Sequence, residues 1–284
     1  MADIFTILKM NYNTFTKSEK RLADYVLKKR ENIVSMSITE LAQESKVAES
    51  SVSRFCKRLD LKGYQEFKIS IAQSTHGDEK DSTRELGIEI LFHDSLEVMA
   101  SKVKNTNISA LDETHNLLNY DELERAVDAM IASSRVRFFG VGSSLITAME
   151  GQNKFLRIMN KAEVSFDSHL QAMAASMMND QEVAIVISYS GQTKDAIEVA
   201  KIAKEAGALV VAITRFKKSP LTVYSDITLL CGANEGPLQG GSLSAKISQL
   251  YLLDIMYFEY FKKTYEESKR NKEITARSVL DKLI

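Results

Sequence analysis

The chain has 284 residues, of which 44% are hydrophobic, so it is long and apolar enough for about two domains with cores of their own. Its 37 basic and 38 acidic residues nearly cancel, and the overall charge therefore indicates neither a nucleic-acid nor a membrane partner. The two cysteines form no CxxC pair and no apolar run reaches the roughly 18 residues of a membrane span, so we expect a cytoplasmic protein without a disulfide framework, metal or cofactor.

The charge is distributed unevenly along the chain. Residues 1–77 carry 13 Lys and Arg against 9 Asp and Glu, whereas the rest carries 24 against 29. Within the basic part, residues 17–72 contain no proline and one glycine, and they predict a compact helical domain. The polar stretch 73–87 is typical of an exposed linker, and residues 88–133 beyond it again have helical spacing.

Two short helices joined by a tight turn are predicted in the middle of the basic domain. Ser37 followed by Glu40 is a capping box, which marks the start of the first helix. In the second helix one side is apolar and the other is cationic and hydroxylated. The apolar stripe consists of Val52, Phe55, Cys56 and Leu59. This arrangement is typical of a helix-turn-helix whose second helix enters the major groove of DNA.

The free side of the second helix supplies the candidate DNA contacts. They are Ser50, Ser51, Ser53, Arg54, Lys57, Arg58 and, just beyond the helix, Lys62. Arg54 is the candidate for reading a guanine edge with two parallel hydrogen bonds, and the other cations are candidates for phosphate contacts. On the helices alone, a solvated face of an ordinary helical domain stays open as the alternative.

From Val136 onward, five short apolar runs alternate with amphipathic helices. The runs are VRFFG, AEVSF, VAIVIS, ALVVAIT and DITLL, and the helices between the first four lie near 144–159, 169–178 and 193–206. This alternation predicts a five-stranded parallel sheet with helices on both faces, in the flavodoxin-like order 2-1-3-4-5. A long helix over 242–264, apolar nearly all round its middle, is expected to be buried against the sheet or in a subunit interface.

Two loops rich in glycine and hydroxyl side chains follow the first and third predicted strands. They are FFGVGSS, residues 138–144, and ISYSGQT, residues 187–193. In the predicted strand order both loops face one crevice, and each precedes a helix whose N-terminus favours an anion. The candidate ligand residues are Gly142, Ser143, Ser144, Ser188, Ser190 and Thr193. We interpret the crevice as a site for a phosphorylated small molecule.

Two other interpretations of these loops stay open. GVGSSL imitates the start of a dinucleotide-binding GxGxxG, but Leu145 takes the place of the third glycine and Asp167 lies later than the expected acidic residue. Serines and glycines also form simple turns between strands, although two such loops on adjoining strands make that account weaker.

The helical part resembles a known family. ITELAQESKVAESSVSRFCKRLDLKGYQEFK is similar to the N-terminal helix-turn-helix of the RpiR family of bacterial transcription regulators, over residues 1–77. Ala48 stands where the family commonly has a capping Ser, a role that Ser50 would take over, and Asp60 stands where Gly is usual. Asp tolerates the left-handed backbone conformation better than most residues.

The two loops resemble those of the sugar isomerase (SIS) domain, a phosphosugar-binding fold, over roughly residues 120–265. The resemblance implies a phosphate held by Ser144, Ser188, Ser190 and Thr193, with Gly142 and Ser143 in the same pocket. GSLSAKISQLYLLD resembles the late helix of that family, with Lys246 where many regulators have Arg. SIS domains occur in both isomerases and regulators, so the fold alone does not decide between them.

An isomerase needs a positioned base, for which His169 and Glu235 are the candidates. Neither lies in a catalytic motif, and we assign both to ligand binding, with no catalytic residue. We therefore expect a regulator of carbohydrate metabolism that binds operator DNA as a homodimer or homotetramer and responds to a sugar phosphate, with amino-sugar phosphates included. The expected domains are 1–77 for DNA binding, 78–107 as linker and connecting helix, and 108–284 as the SIS domain.

Overall fold

The computed structural model describes residues 3–75, 90–91, 93–233 and 243–280. Contacts divide the chain into a helical unit up to Ile108 and an α/β unit from Ser109 onward. Much of the predicted linker lies outside the described residues, so the domain limits proposed from the sequence stay predictions.

The helical unit is built from short helices, as its sequence predicts. Its elements are α1 (Ile4–Asn11), a 3₁₀ turn (Tyr12–Thr14), α2 (Lys17–Lys28), α3 (Arg30–Ile33), α4 (Ile38–Glu44), α5 (Glu49–Arg58) and α6 (Tyr64–Thr75). Phe55 of α5 lies at the centre of its core, with ring centroids 5.3 Å from Phe15 and 6.0 Å from Phe67, both edge to face. The predicted capping box at Ser37 and Glu40 is confirmed.

The α/β unit contains a parallel sheet in the predicted order β2-β1-β3-β4-β5. Its strands are β1 (Arg135–Phe139), β2 (Ala162–Val164), β3 (Glu182–Ile187), β4 (Leu209–Thr214) and β5 (Ile227–Leu230). Its helices are α8 (Tyr120–Ala132), α9 (Ser143–Phe155), α10 (Ser168–Ser176), α11 (Lys194–Glu205), α12 (Leu243–Lys263) and α13 (Tyr265–Arg277). The prediction of a five-stranded parallel sheet flanked by helices is confirmed.

Both faces of the sheet are covered because the central strands are apolar on both sides. Phe138 belongs to the core beneath α8, α9 and α12, whereas the next residue, Phe139, belongs to the core beneath α10 and α11. Gly151 lets α9 approach β1 closely, since a Cβ there would lie 2.8 Å from the Phe138 ring. Leu252 and Leu253 of α12 are buried in the first core, so this helix packs against the sheet. This is one of the two positions predicted for it, the other being a subunit interface.

The helix α7 (Leu96–Asn116) crosses the division between the two units. The helix predicted from residue 88 is wrong for the described residues that directly precede α7, which are not helical. In this stretch the Asp94 carboxylate accepts hydrogen bonds from the Leu91 backbone N–H at 2.7 Å and from Lys102 Nζ at 2.6 Å. The last turns of α7 hold the end of β5: Thr114 Oγ1 accepts from the Gly232 N–H at 2.9 Å. The Glu113 carboxylate accepts from the Ala233 N–H at 3.1 Å.

Within the described ranges, no helix is both long and apolar enough to cross a membrane. The same residues contain no group of three His, Cys, Asp or Glu placed to hold a metal ion.

Among the described residues of the helical unit, Lys68 of α6 is the one charged residue that is buried. Its side chain is 6% exposed, and Nζ donates to the Met36 carbonyl at 3.1 Å, above the Tyr64 ring. Burial lowers the pKa of this amine to about 8, and the nearby Glu40 carboxylate only partly opposes the shift. Because Tyr64 Oη also donates to the Met36 carbonyl, that oxygen keeps a partner if Lys68 is replaced.

We predict that Lys68→Met stabilises the helical unit at pH 7 by on the order of 2 kcal/mol, since a charge no longer has to be buried. The pKa of Lys68 is lower in the folded than in the unfolded chain, so its destabilising effect is constant below pH 8 and shrinks as the pH rises from there toward 10.5. The wild-type urea midpoint, followed by circular dichroism, should therefore rise from pH 7 to 9, and that of the variant should be flatter. The exposed Lys62→Met is the matched control.

The comparison ends at pH 9 because of Cys56, whose pKa burial raises to about 12. Above that pH the thiol ionises in the unfolded chain but not in the folded one, so stability falls as the pH rises further. Equal pH dependence in wild type and Lys68→Met would contradict the assignment.

Candidate functional site

The turn between α4 and α5 is set by local backbone geometry. Lys46 has φ 56°, and the Val47 N–H donates back to the Ala42 carbonyl at 2.9 Å. The expectation that Ser50 replaces the missing N-cap of α5 is wrong: Ala48 is the cap residue, without a side-chain hydrogen bond, and Ser50 lies inside the helix. Instead, Thr39 Oγ1 of α4 donates to the carboxylate of Glu49, the first residue of α5, at 2.6 Å.

The surface predicted to read DNA is the solvent-facing side of α5. Val52, Phe55 and Cys56 are buried, so the remaining side chains of the helix point outward. Arg54 and Lys57 are exposed, and Arg54 Nε donates to the Ser50 carbonyl of its own helix at 3.2 Å. Among the other candidates, Ser51 and Ser53 are half-buried, whereas Ser50, Arg58 and Lys62 are exposed. α5 thus presents hydroxyls and cations together, and their contact with DNA stays a prediction.

Arg58 differs from Arg54 because its partners lie outside α5. Its guanidinium donates to the Glu19 carboxylate at 2.9 Å and to the Thr14 carbonyl at 2.7 Å, over the Phe15 ring. Glu19 also completes the capping box of α2 with Thr16. Arg58 therefore joins α5 to α2, and a phosphate would compete with Glu19 for it.

The turn after α5 confirms the reasoning about Asp60. This residue has φ 60°, in the left-handed region, and its N–H donates to the Lys57 carbonyl at 3.1 Å. Asp60 thus adopts the left-handed conformation at a position where the family commonly has Gly.

In the α/β unit, the first predicted ligand loop bends tightly from β1 into α9. Gly142 has φ 58° and is the N-cap of α9, which begins at Ser143. A Cβ on Gly140 would lie 2.7 Å from the Ser144 carbonyl, so glycine is required for the close turn. Gln171 Nε2 of α10, a residue that the sequence reasoning missed, donates to the Gly140 carbonyl at 2.8 Å and thereby holds this loop against α10.

The second loop curls its hydroxyl groups around the start of α11. Ser188 is 3% exposed, and its Oγ lies 3.5 Å from Thr193 Oγ1, the N-cap residue of α11. Ser190 Oγ accepts from the Gln192 N–H at 3.2 Å. Gly191 has φ 59°, and a Cβ there would overlap the Ser219 hydroxyl. Three hydroxyls are therefore held at one helix N-terminus by a loop that only glycine permits.

The register of the sheet brings the two loops to the same edge. Phe139 of β1 pairs with Val186 of β3 in a parallel ladder, so the chain leaves both strands side by side. Each loop leads into the N-terminus of a helix of three turns or more, where backbone N–H groups and the helix dipole favour an anion.

The remaining predicted ligand residues are placed differently. The His169 side chain is 91% exposed at the start of α10, with Nδ1 3.5 Å from Asp167, and no residue that the structure describes holds it toward the loops. Backbone N–H groups, that of Leu170 first, lower the pKa of Asp167 by binding its carboxylate. Lys246 is half-buried in the first turn of α12. Glu235 lies outside the described residues.

A cavity of about 430 Å³ lies elsewhere in this unit, along the edge strand β5. It is lined by Leu118 and Leu123 near α8, by Leu229 and by Leu252, with Lys217 and Asp226 among its polar residues. It includes no predicted ligand residue, so the assignment of the two loops depends on their chemistry and register.

Comparison with known proteins matches both units. The family model described as the helix-turn-helix domain of the rpiR family matches residues 2–77, and the SIS domain model matches residues 129–258. An HTH-type transcriptional regulator of Caldanaerobacter subterraneus is 34% identical over 97% of this chain and 96% of its own length. HexR of Pseudomonas aeruginosa, also an HTH-type transcriptional regulator, is 31% identical over 90% of this chain and 88% of its own.

A solved structure matches the chain over nearly its full length. The Vibrio vulnificus NanR protein complexed with ManNAc-6P has a TM-score of 0.86 at 28% identity, with 98% of each chain covered. A helix-turn-helix unit followed by a SIS domain defines a DNA-binding transcriptional regulator. The chain belongs to the RpiR family of HTH-type transcriptional regulators. It is not an isomerase, since its relatives over this length are regulators.

The cations of α5 lead to a prediction for DNA binding, measured by fluorescence anisotropy on a duplex selected from a random library by the wild-type chain. Lys57→Met should weaken binding of all duplexes alike and reduce the slope of log affinity against log salt by about 1 for each bound α5, because one cation per helix no longer neutralises a phosphate. Arg54→Met should cost about 1–3 kcal/mol on the selected duplex and relax base preference at one position.

Lys28→Met, which removes an exposed lysine from α2, is the control and should change neither slope nor preference. An affinity that does not depend on salt in the wild type would contradict DNA binding through this cationic surface.

Proposed function

We propose that the chain binds operator DNA through α5 and that a sugar phosphate, bound between the β1–α9 and β3–α11 loops, controls this binding. The observation that carries the proposal is the meeting of two hydroxyl-rich helix N-termini at adjoining strands, in a chain whose other unit is a helix-turn-helix. Because the proposed effector is a phosphorylated sugar, the chain would regulate genes of carbohydrate metabolism.

The loops suit reversible binding of a phosphate. Ser144, Ser188, Ser190 and Thr193 offer hydroxyl donors, and the backbone N–H groups at the two helix starts offer more, without a fixed positive charge in either loop. Lys246 of α12 supplies the cation of the proposed pocket. We assign Gly142 and Ser143 to its wall, and His169 and Glu235 to the sugar.

Amino-sugar phosphates are the first candidates within this class. The support is the full-length similarity to NanR, whose structure contains ManNAc-6P. The SIS match over residues 129–258 also favours a phosphosugar over the dinucleotide considered from GVGSSL, since it covers both loops, which resemble the phosphosugar-binding loops of that domain.

We further propose that the chain acts as a homodimer or a homotetramer, in which the effector changes the spacing of two recognition helices. A dimer reads two half-sites about 34–36 Å apart or multiples of that, so a small change of geometry costs affinity. α10 offers a surface for a second copy, because Leu170 and Met173 on the helix and Met177 at its C-cap recur at helical spacing and are all exposed. His169, at the start of the same helix, would then lie at the interface.

The effector assignment predicts a specific pattern of thermal shifts for the full chain. ManNAc-6P, glucosamine 6-phosphate and glucose 6-phosphate are tested beside inorganic phosphate. At a ligand concentration 100 times Kd, binding stabilises the folded chain by about 2.7 kcal/mol, which raises the Tm of the α/β unit by several degrees. Ser190→Ala and Thr193→Ala should each reduce the shift, since each removes a hydroxyl donor and weakens binding.

Ser176→Ala is the control, because this serine of α10 lies outside both loops and its hydroxyl only donates to the Met173 carbonyl. A shift that neither loop substitution reduces would place the ligand elsewhere, and no shift with any of the three sugar phosphates would refute the effector class.

The oligomer proposal predicts that Met173→Glu lowers the molar mass measured by light scattering, because a charge cannot be buried in an apolar interface without large cost. Met10→Glu, at an exposed methionine of the helical unit, should leave the mass unchanged. A wild-type monomer, or an unchanged mass with Met173→Glu, would exclude α10 as the interface.

A further inference from the structure

A buried glutamine joins α12 to α9 close to the proposed effector pocket. Gln249 is 1% exposed and Thr147 is 0% exposed, and Thr147 Oγ1 donates to Gln249 Oε1 at 3.0 Å. The amide nitrogen of Gln249 is buried without a hydrogen-bond partner among the described residues. In either orientation of the amide, Thr147 binds one of its two polar atoms and leaves the other unpaired.

A second unpaired polar atom belongs to Ser143, one helical turn before Thr147 on α9. Ser143 is the first residue of α9, four positions before Thr147, so the two side chains share a face of the helix. In the part of the chain that the structure describes, Ser143 Oγ is likewise buried and has no partner. Each buried polar atom left unpaired costs about 1–3 kcal/mol, and native proteins keep few of them.

The position of this pair points to a ligand rather than to core packing. Ser143 follows Gly142 at the N-terminus of α9, on the edge of the sheet where both hydroxyl-rich loops lie. On α12, Lys246 is three residues before Gln249, so the cation and the amide share one side of that helix. The buried polar neighbour Ser248 has a partner, since its Oγ donates to the Ala110 carbonyl at 3.2 Å. Within the described ranges the amide of Gln249 has none for its nitrogen, and a Leu or Met in its place would avoid the unpaired group.

We propose that Gln249 binds the sugar part of the effector: its amide N–H donates to a sugar hydroxyl, which in turn donates to Ser143 Oγ. This inference rests on the proposed function and adds a residue that sets specificity for the sugar. A sugar hydroxyl both donates and accepts, so it satisfies the amide and the serine together. Thr147 is a positioning residue: while its hydroxyl donates to Oε1, the N–H groups of the amide are left to donate to the sugar.

The test compares the full-length wild type with Gln249→Met, which keeps the length of the side chain and removes its polar atoms. Isothermal titration with the three sugar phosphates named above should show about tenfold weaker binding for the variant, the effect of removing one hydrogen bond to a ligand. Affinity for inorganic phosphate, which lacks the sugar, should change less than twofold. Ser190→Ala serves as the contrast and should weaken binding of both kinds of ligand.

Thermal melting without ligand separates binding from a merely structural role. If Gln249 only holds α12 against α9, Gln249→Met lowers the Tm and weakens all ligands alike, which would overturn the proposal. We expect an unchanged or higher Tm, since an unpaired buried amide is removed. Thr147→Val should weaken sugar phosphates in the same direction as Gln249→Met, while leaving inorganic phosphate unaffected.

Two further outcomes are distinguishable. If Gln249→Met binds every sugar phosphate as tightly as the wild type does, this inference is overturned and the proposed function stands. Failure of the wild type to bind any of the three overturns both.

Discussion

The parallel pairing of β1 with β3 is the constraint on which the proposed effector site depends. The chain leaves β1, crosses to the edge strand β2 and returns to pair β3 on the other side of β1. The connections on the two sides of β1 therefore diverge, and the loops after β1 and β3 open toward the same space. Alternation of apolar residues enforces this pairing, because Phe138 and Phe139 enter different cores and a slip by one residue would exchange them.

The helical unit depends on a different kind of interaction. Phe55 ties the recognition helix to the core through two aromatic neighbours, while Arg58 and Glu19 tie its far end to α2. The helix is thus held from both its apolar side and its C-terminal end. Its outward side is left to Arg54 and Lys57, whose positions are fixed by the backbone of α5 rather than by partners on other helices.

Sequence reasoning succeeded where a local pattern decides the structure. The strand order, the burial of α12 and the left-handed conformation of Asp60 follow from periodicity, from the α/β alternation and from the tolerance of Asp for positive φ. The capping expectation for Ser50 failed, because it depended on the residue at which α5 begins.

Contacts between distant segments could not be predicted in the same way. Arg58 has the same place in the pattern as Lys57, and only the fold puts Glu19 beside it, 39 positions earlier. Gln171 and Gln249 are uncharged polar residues within helices, and no spacing marks the carbonyl or hydroxyl that each one meets. The exposure of His169 likewise depends on how α10 lies on the sheet.

The attachment of α7 to the end of β5 has a consequence for local unfolding. Thr114 and Glu113 take up the backbone N–H groups of Gly232 and Ala233, which have left the β-ladder. Helix ends ordinarily fray, but here the last turn of α7 cannot open unless those two amides lose their acceptors as well. The amides of a loop and the end of a helix more than a hundred positions apart in the chain thus exchange with solvent in one joint opening event, so the end of α7 behaves as part of the sheet.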